Sequence, residues 1–193
     1  MVTPMPESTR TIIGLSGSLR AGSYNTALLR AARGLMPEGA QLHVKTIHGI
    51  PIYDGDTEAE HGFPTAVREL GEIIAKADGL LLATPEYNHS IPGPFKNAID
   101  WLSRIKNQVQ PVFTAKPVAV IGASPGGFGT LLAQDAWLTV LRALGTHPWF
   151  GGRLLVSHAD GVFDETGELT DEGAKNKLRK YLEGFVNHVR LVS

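Results

Sequence analysis

The sequence predicts an α/β fold in which helices cover both faces of a parallel β-sheet. Short apolar segments alternate along the chain with longer segments whose apolar residues recur at helical spacing, which is typical of such sheets. Two apolar segments, Gly79–Ala83 and residues 118–121, are continuous, as expected of strands buried on both faces. The 193 residues, 42% of them hydrophobic, suffice for one domain with a substantial core.

The order of these segments predicts five strands with connecting helices. Pro64 opens the second helix, Pro94 fits the first turn of the third, and Gly145 can end the fourth. The polar, acidic residues 53–62 are predicted as a loop. In chain order, the predicted elements are a strand at 11–15, a helix at 24–36, a strand at 42–47, a helix from 64, a strand at 79–83, a helix from 94 to about 105, a strand at 118–121, a helix from 127 or 130 to 144, a strand within 147–156 and a helix at 170–189.

Five parallel strands in a chain of this length fit a three-layer flavodoxin-like sandwich with strand order 2-1-3-4-5. Ligands of such sheets bind beyond the carboxyl ends of the strands, near the point where the strand order reverses. The loops after strands 1, 3 and 4, which are residues 16–25, 84–92 and 122–129, would then be neighbours. Residues 1–9 are predicted as a flexible arm, and residues 10–193 as a single domain.

Composition excludes several classes of function. The formal net charge is -1 and no basic stripe occurs, so a nucleic-acid partner is not expected. The chain has no cysteine, which excludes disulfides and thiol nucleophiles. The histidines show no ligand spacing, so no metal site is predicted. No apolar run reaches the roughly 20 residues of a membrane helix, so we expect a cytoplasmic protein without a membrane partner.

The first loop has the composition of an anion site. It precedes a helix whose N-terminus offers free N–H groups and the positive end of the helix dipole, and Arg20 can bind two phosphate oxygens at once. The alternative is a plain helix cap at Ser23 or Asn25, with Arg20 in solvent. The dinucleotide fingerprint is absent, and Ser23 stands where a Walker A loop needs lysine after Gly22. A monophosphate therefore fits better than ATP or a standard NAD site.

The second loop, residues 84–94, is dense in turn-forming residues and is predicted to be rigid. Its exposed N–H groups suit the edge of a planar ring, Tyr87 supplies an aromatic face, and Asn88 supplies an amide. Tyr87 and His89 line the predicted mouth. The alternative is a proline-stiffened crossover loop with a surface tyrosine.

The third loop contains the pattern G-x-S-x-G, which is typical of the nucleophile elbow of hydrolases. In that hypothesis Ser124 is the nucleophile, with Asp160 or Asp164 and His188 as partners. Pro125 argues against it, because the oxyanion hole uses the N–H group of the residue after the nucleophile and proline has none. We interpret the loop instead as a glycine-rich flap against a planar ligand.

These loops, together with the helix after the second one, resemble the NADPH-dependent FMN reductase family. The matching residues are Gly17-Ser18-Leu19-Arg20, Ser23 and Asn25, then Pro85-Glu86-Tyr87-Asn88, then Pro92-Gly93 and Lys96-Asn97-Ala98-Ile99-Asp100-Trp101-Leu102-Ser103. The likeness spans residues 12 to about 144 and is closest to bacterial quinone, chromate and azo-compound reductases. It implies a flavodoxin-like fold, non-covalently bound FMN, and a homodimer or homotetramer.

The resemblance gives a role to residues of all three loops. The first loop would hold the FMN phosphate, the second would line the isoalloxazine largely through backbone groups, and the third would border the ring and ribityl chain. The residues concerned are Ser18, Arg20, Ser23, Tyr24 and Asn25 in the first loop, Pro85, Glu86, Tyr87 and Asn88 in the second, and Ser124, Gly126 and Gly127 in the third.

The resemblance also implies a reaction. NADPH or NADH delivers hydride to the flavin and leaves, and a small-molecule acceptor takes the electrons at the same face in ping-pong order. Quinones, chromate, azo compounds and free flavin suit an open flavin face. The protein need supply no acid or base, so no catalytic residue is predicted. The alternative is a flavodoxin-like FMN-binding electron carrier or regulatory module without NAD(P)H turnover.

The broad apolar surface of the third predicted helix is expected to be shared between the sheet and a dimer seam. Its members are Phe95, Ala98, Ile99, Trp101, Leu102 and Ile105. Trp137 and Leu141 in the fourth helix are interpreted as core or interface residues and not as cofactor contacts.

Overall fold

The computed structural model describes residues 9–105 and 111–192. The predicted arm at residues 1–9 lies outside this part of the chain apart from Thr9. The strands are β1 (Arg10–Ser16), β2 (Ala40–Thr46), β3 (Gly79–Ala83), β4 (Pro117–Ala123), β5 (His147–Pro148) and β6 (Leu154–Val156). The α-helices are α1 (Tyr24–Gly34), α2 (Gly55–His61), α3 (Thr65–Lys76), α4 (Gly93–Ser103), α5 (Leu131–Ala143) and α6 (Glu172–Val192), and Ala159–Gly161 form a 3₁₀ turn. None of the described helices is long and apolar enough to cross a membrane.

The strands form one parallel sheet in the order β2-β1-β3-β4-β5, as predicted. The last predicted strand is divided in two, because β5 pairs with the start of β4 and β6 pairs with its end. Pro148 has no N–H group to continue the ladder, and Gly151 and Gly152 follow before β6 begins. The divided strand leaves the predicted sheet order unchanged.

The two faces of the sheet build two apolar cores. Ile12 and Leu81 pack in the core beneath α1 and α6, whereas Ile13 and Leu80 pack in the core beneath α3, α4 and α5. Successive strand residues point to opposite faces, and these four side chains are at most 2% exposed. The alternation produces the three layers of the predicted sandwich.

Helix α2 lies where a loop was predicted. Asp54 begins it, since its Oδ1 accepts the N–H groups of Asp56 at 2.8 Å and Thr57 at 3.4 Å. None of the helix residues is buried, so the segment lacks the apolar periodicity from which a helix is predicted, and the loop prediction is wrong. Glu58 attaches the helix to the rest of the chain, because its Oε2 accepts hydrogen bonds at 2.9 Å from the Tyr53 hydroxyl and from Arg104 Nε.

The apolar surface of α4 is used within the chain. Phe95, Ala98, Ile99, Trp101 and Leu102 are all 1% exposed or less. Trp101 also donates from its indole nitrogen to the Pro51 carbonyl at 2.9 Å and packs edge-on against Tyr53 with ring centroids 4.9 Å apart. The sheet, helix α3 and the segment before α2 therefore cover these five side chains within the chain. None of the five is exposed for the expected dimer seam, and the seam itself stays a prediction.

The buried hydroxyl of Tyr181 should make the free energy of unfolding depend on pH. Its hydroxyl donates to the Val120 carbonyl at 2.9 Å, and burial raises the pKa of Tyr181 above its ordinary value. The folded state then keeps this proton at pH values where the unfolded chain loses it, so its contribution is full below about pH 10 and falls by about 1.4 kcal/mol per pH unit above that.

The matched variant is Tyr181→Phe, which keeps the ring and removes the titrating hydroxyl. We expect wild type to be more stable than the variant by about 1 kcal/mol at pH 8, with the difference shrinking between about pH 10 and pH 11. Urea unfolding of the two proteins at about pH 8, 10 and 11 measures the difference. A difference that stays constant with pH would contradict the burial of this hydroxyl.

Candidate functional site

Backbone hydrogen bonds bring the three predicted loops to one edge of the sheet. The N–H group of Gly17, just beyond β1, donates to the Ala83 carbonyl at 2.9 Å. The N–H group of Thr84, just beyond β3, donates to the Ile121 carbonyl in β4 at 2.9 Å. The loops after β1, β3 and β4 therefore leave the sheet side by side, at the edge where such folds bind ligands.

The first loop leads into the open N-terminus of α1, and the charged side chain of Arg20 lies in the same loop. Ser23 is the N-cap of α1 and accepts the N–H group of Thr26 at 3.3 Å, while the Ser18 hydroxyl accepts the N–H group of Arg20 at 3.3 Å. The exposed Arg20 guanidinium makes no hydrogen bond or ion pair with another described residue. A Cβ at Gly22 would meet no atom within 4 Å, so the space beside this N-terminus is open.

Asn25 joins the first loop to the third. Its side-chain Nδ2 donates to the Ala123 carbonyl, and its Oδ1 accepts the Ala123 N–H group, both at 2.9 Å. The residue is only 4% exposed, and both polar heavy atoms of its side-chain amide are bonded inside the protein. The backbone N–H group of Asn25 remains for a phosphate, because it lies in the first turn of α1 and has no intrahelical acceptor.

The second loop is a tight two-residue turn. Tyr87 and Ser90 exchange N–H···O bonds of 3.1 and 3.0 Å, and the two residues between them, Asn88 and His89, have φ angles of 49° and 61°. Positive φ at both central positions is the mark of a type I′ turn, which asparagine tolerates well. Tyr87 is 46% exposed.

The Glu86 side chain points away from solvent and toward α5. Its Oε2 accepts the N–H groups of Leu132 at 2.9 Å and Ala133 at 3.0 Å. Pro85 is buried beside it. Glu86 was predicted to line the flavin ring, but its carboxylate is engaged within the protein, so its backbone groups are what remain for a ligand.

The third loop is closed by its own serine. The Ser124 hydroxyl donates to the Gly129 carbonyl at 2.6 Å, and Gly129 has φ +61°, which favours glycine. The His158 N–H group donates to the Gly126 carbonyl at 3.2 Å. A Cβ at Gly126 would meet nothing nearer than Ser124 Oγ at 3.8 Å, so this side of the loop has room for a ligand. Phe128, between the closing residues, is 79% exposed.

The same contacts oppose the hydrolase hypothesis. The Ser124 hydroxyl is committed to Gly129, and hydrogen bonds from Thr166 and Glu168 lower the pKa of Asp164 and occupy its carboxylate. His188 lies on α6 with its Nε2 buried and without a partner among the described residues. Serine, histidine and aspartate are not assembled into a triad.

A buried aromatic layer lies beneath the site, and Trp137 is a core residue there as predicted, whereas its contacts with Phe95 and Thr84 were not predicted. Phe95 packs edge-on against Trp137 with centroids 4.8 Å apart, and the Trp137 indole nitrogen donates to the Thr84 hydroxyl at 3.1 Å. A Cβ at Gly17 would lie 2.0 Å from the Phe95 ring, so glycine is needed there for packing. The glycine pattern of the first loop was a signal for this contact, but the residue it accommodates is not adjacent in sequence.

The residues around Asn97 and Trp101, which belong to the block that carries the family resemblance, hold the scaffold together. Asn97 Nδ2 and the Trp101 indole nitrogen both donate to the Pro51 carbonyl, at 2.8 and 2.9 Å. Asn97 Oδ1 also accepts the Tyr53 N–H group at 2.8 Å. One turn of α4 therefore holds the segment that leads into α2.

A substitution at Gly122 tests how tightly the ends of the strands are packed. A Cβ at this position would lie 1.9 Å from Thr130 Oγ1 and 2.6 Å from the Thr84 carbonyl oxygen, which cannot move without its loop. We expect Gly122→Ala to lower the free energy of unfolding by about 1–3 kcal/mol through overpacking. Gly126→Ala is the control, because open space surrounds that position, and chemical unfolding of both compares them. Equal stabilities would show that the loops are not closely packed here.

A parallel sheet of this order, with an open helix N-terminus beside Arg20 at its first helix and a tight turn at the neighbouring strand end, defines the flavodoxin-like class of proteins. Among the described residues, no group of three or more histidine, aspartate or glutamate side chains is placed to hold a metal ion.

Comparison with known proteins identifies the family within that class. Residues 10–161 match the NADPH-dependent FMN reductase family. An NAD(P)H-dependent FMN reductase of Pseudomonas aeruginosa is 45% identical over 179 residues, covering 93% of this chain and 95% of that protein. A quinone reductase of Escherichia coli is 36% identical over 186 residues, covering 94% and 96%.

Comparison with solved structures points to the same class of flavin-dependent enzyme. The flavoenzyme NAD(P)H:(acceptor) oxidoreductase from Paracoccus denitrificans matches with a TM-score of 0.82 and 32% identity, over 95% of this chain and 98% of that one. The chain belongs to the NADPH-dependent FMN reductase family. The predicted family, its flavodoxin-like fold and its dependence on FMN and NAD(P)H are confirmed.

Proposed function

We propose that this protein uses FMN to pass electrons from NADPH or NADH to quinones, in ping-pong order. The observation that carries the proposal is the Arg20 guanidinium, which has no partner among the described residues and stands beside the open N-terminus of α1. An FMN phosphate would neutralise both the Arg20 guanidinium and the positive end of the α1 dipole. Bound FMN would supply the redox chemistry, in which NAD(P)H gives up a hydride and a quinone gains two electrons and two protons, the second proton coming from solvent.

The residues around the strand ends fit the phosphate half of FMN. Arg20 and the backbone N–H groups of Tyr24 and Asn25 are donors for phosphate oxygens, and the hydroxyls of Ser18 and Ser23 lie in the same loop. Each hydroxyl already accepts one backbone N–H group, which leaves its own proton to donate. This donor set matches a dianion with several oxygens.

The other two loops fit the ring half. The turn at Tyr87–Ser90 fixes the backbone after Pro85 and Glu86, so its groups are pre-arranged for the edge of an isoalloxazine. Gly126 has open space on the opposite loop, with Ser124 and Gly127 next to it. We place the isoalloxazine between these two loops.

Quinones are the proposed acceptors because related proteins are quinone reductases and because two exposed aromatic side chains stand at the proposed mouth. Tyr87 is 46% exposed and Phe128 is 79% exposed, on neighbouring loops. Aromatic faces of this kind suit planar acceptors. Chromate, azo compounds and free flavin are further proposed acceptors, for which no contact specific to them is seen among the described residues.

An anaerobic acceptor panel tests the proposal. FMN-loaded protein is mixed with NADPH or NADH and then with a benzoquinone, chromate, an azo dye or free FMN, and initial rates are measured while both substrates vary. We expect fastest turnover with the quinone and parallel double-reciprocal lines, since both substrates use one face in turn. FMN binding without oxidation of either nicotinamide would instead favour an electron carrier or regulatory module.

We also propose a homodimer or homotetramer and a cytoplasmic location. Leu138 on α5, which is 38% exposed, lines one surface depression together with Phe150, which is 71% exposed, and this surface is the best candidate for a subunit contact. Light scattering on the eluting protein measures the assembly. The need for NAD(P)H supports the cytoplasm.

A further inference from the structure

The geometry points to Glu86 as a positioning residue that ties the second loop to the start of α5 and so sets the spacing of the two loops facing the flavin ring. The inference rests on the proposed FMN site. It gives Glu86 a role different from direct contact between its carboxylate and the ring.

The carboxylate of Glu86 replaces a missing helix cap. Thr130 is the N-cap residue of α5, but its side chain caps no N–H group and its Oγ1 instead lies 3.2 Å from Gln134 Nε2. Glu86 Oε2 accepts the N–H groups of Leu132 and Ala133, which would otherwise lack acceptors. The cap therefore comes from a residue 46 positions earlier in the chain.

Charge strengthens this contact. A carboxylate at a helix N-terminus interacts favourably with the helix dipole, and hydrogen bonds to an ionised oxygen are stronger than neutral ones. The Glu86 side chain is only 13% exposed, so solvent screens it little. Its other oxygen, Oε1, lies 3.4 Å from Nδ1 of His89, which the turn folds back toward it.

The capped helix begins where the third loop ends. Ser124 closes that loop onto Gly129, and α5 starts two residues later. The second loop is attached to α5 at two points, through Glu86 at the first turn and through the bond between Thr84 and Trp137 further along. A shift of Glu86 would therefore change the gap between the second and third loops, which is where we place the isoalloxazine.

Two substitutions separate capping from charge. Glu86→Ala removes both acceptors, and we expect exchange of the Leu132 and Ala133 amide protons to become roughly 2- to 30-fold faster, the range for loss of an N-cap. FMN should dissociate more readily by a factor in the same range. Glu86→Gln keeps an oxygen that can accept the same two N–H groups, so it should restore amide protection and most of the FMN affinity. Amide exchange by NMR and FMN fluorescence titration measure the two effects.

Asp135→Asn is the matched control. Asp135 lies on the same helix, pairs with Arg153 and is 51% exposed, so the variant removes one carboxylate from α5 without touching either loop. It should leave both measurements at wild-type values. Because a purely structural role would lower only the melting temperature, FMN affinity is measured well below unfolding.

Three outcomes would overturn the inference. They are wild-type amide exchange in Glu86→Ala, unchanged FMN affinity in folded Glu86→Ala, and a Glu86→Gln variant as weak as Glu86→Ala. Failure of the proposed function is a different result, because wild-type protein would then not bind FMN while the amide exchange would still report on the cap.

Discussion

Replacing Trp137 by alanine is expected to lower the free energy of unfolding by about 3–5 kcal/mol, the largest effect we predict for a single side chain. Trp137 is fully buried, packs edge-on against Phe95 and donates a hydrogen bond to Thr84. The alanine variant leaves a cavity beneath the strand ends and an unmet acceptor at the base of the second loop. Because native domains are stable by only about 5–15 kcal/mol, much of the margin would be lost.

The consequence should extend to FMN. Thr84 begins the second loop and accepts the Trp137 hydrogen bond, and Phe95, which packs on Trp137, contacts Gly17 at the start of the first loop. Both loops would therefore lose packing support beneath them. Trp137→Phe keeps a ring in the core and should cost less than the alanine variant. Leu191→Ala is the control, because that side chain is 83% exposed and its removal should change stability by no more than about 0.5 kcal/mol. Urea unfolding is measured for the three variants, and a Trp137→Ala variant that behaved like Leu191→Ala would show that Trp137 does not support the core.

Replacing Arg20 by alanine is expected to weaken FMN binding by about 1.5–3 kcal/mol, the range for hydrogen bonds to a charged group. That corresponds to an FMN dissociation constant raised about 10- to 150-fold. The guanidinium is exposed and makes no bond within the described residues, so its loss should leave the fold intact. The N–H groups of α1 would remain, which is why we expect weaker binding and not its abolition.

Arg30→Ala is the control for charge. Arg30 is exposed on α1 but lies beyond the first turn of this helix. Its replacement changes the net charge of the protein as much as Arg20→Ala does, away from the proposed phosphate site. FMN fluorescence titration of all three proteins should show a loss only for Arg20→Ala, and that loss should shrink in high salt. Equal affinities for Arg20→Ala and wild type would remove Arg20 from the phosphate site.

The sequence was sufficient for the architecture of the sheet. Continuous apolar strands such as Gly79–Ala83 and the periodicity of α1 depend on local patterns, and parallel order follows from their alternation. Helix α2 escaped prediction because it buries nothing and depends on a cap at Asp54 and on contacts of Glu58 with distant residues. The division of the last strand at Pro148 reflects missing hydrogen bonds that apolar content does not reveal.

The candidate site was predictable as a set of loops, and less so as a set of atoms. Composition and topology placed Arg20 and the turn at Tyr87–Ser90 on one edge, where the structure has them. The side chains of Asn25 and Glu86 are instead directed inward, to Ala123 and to α5, by hydrogen bonds that span 98 and 46 or 47 residues. Such long-range partners depend on how the loops pack, which no local pattern encodes.

FMN bound at the carboxyl ends of the strands should be reducible by a nicotinamide. An anaerobic titration of FMN-loaded protein with NADPH and NADH, followed by flavin absorbance and then by addition of a quinone, measures this. We expect a yellow protein that bleaches on addition of a nicotinamide and regains its colour when the quinone is added. A colourless protein that refuses added FMN, or a yellow one that neither nicotinamide bleaches, would contradict this expectation.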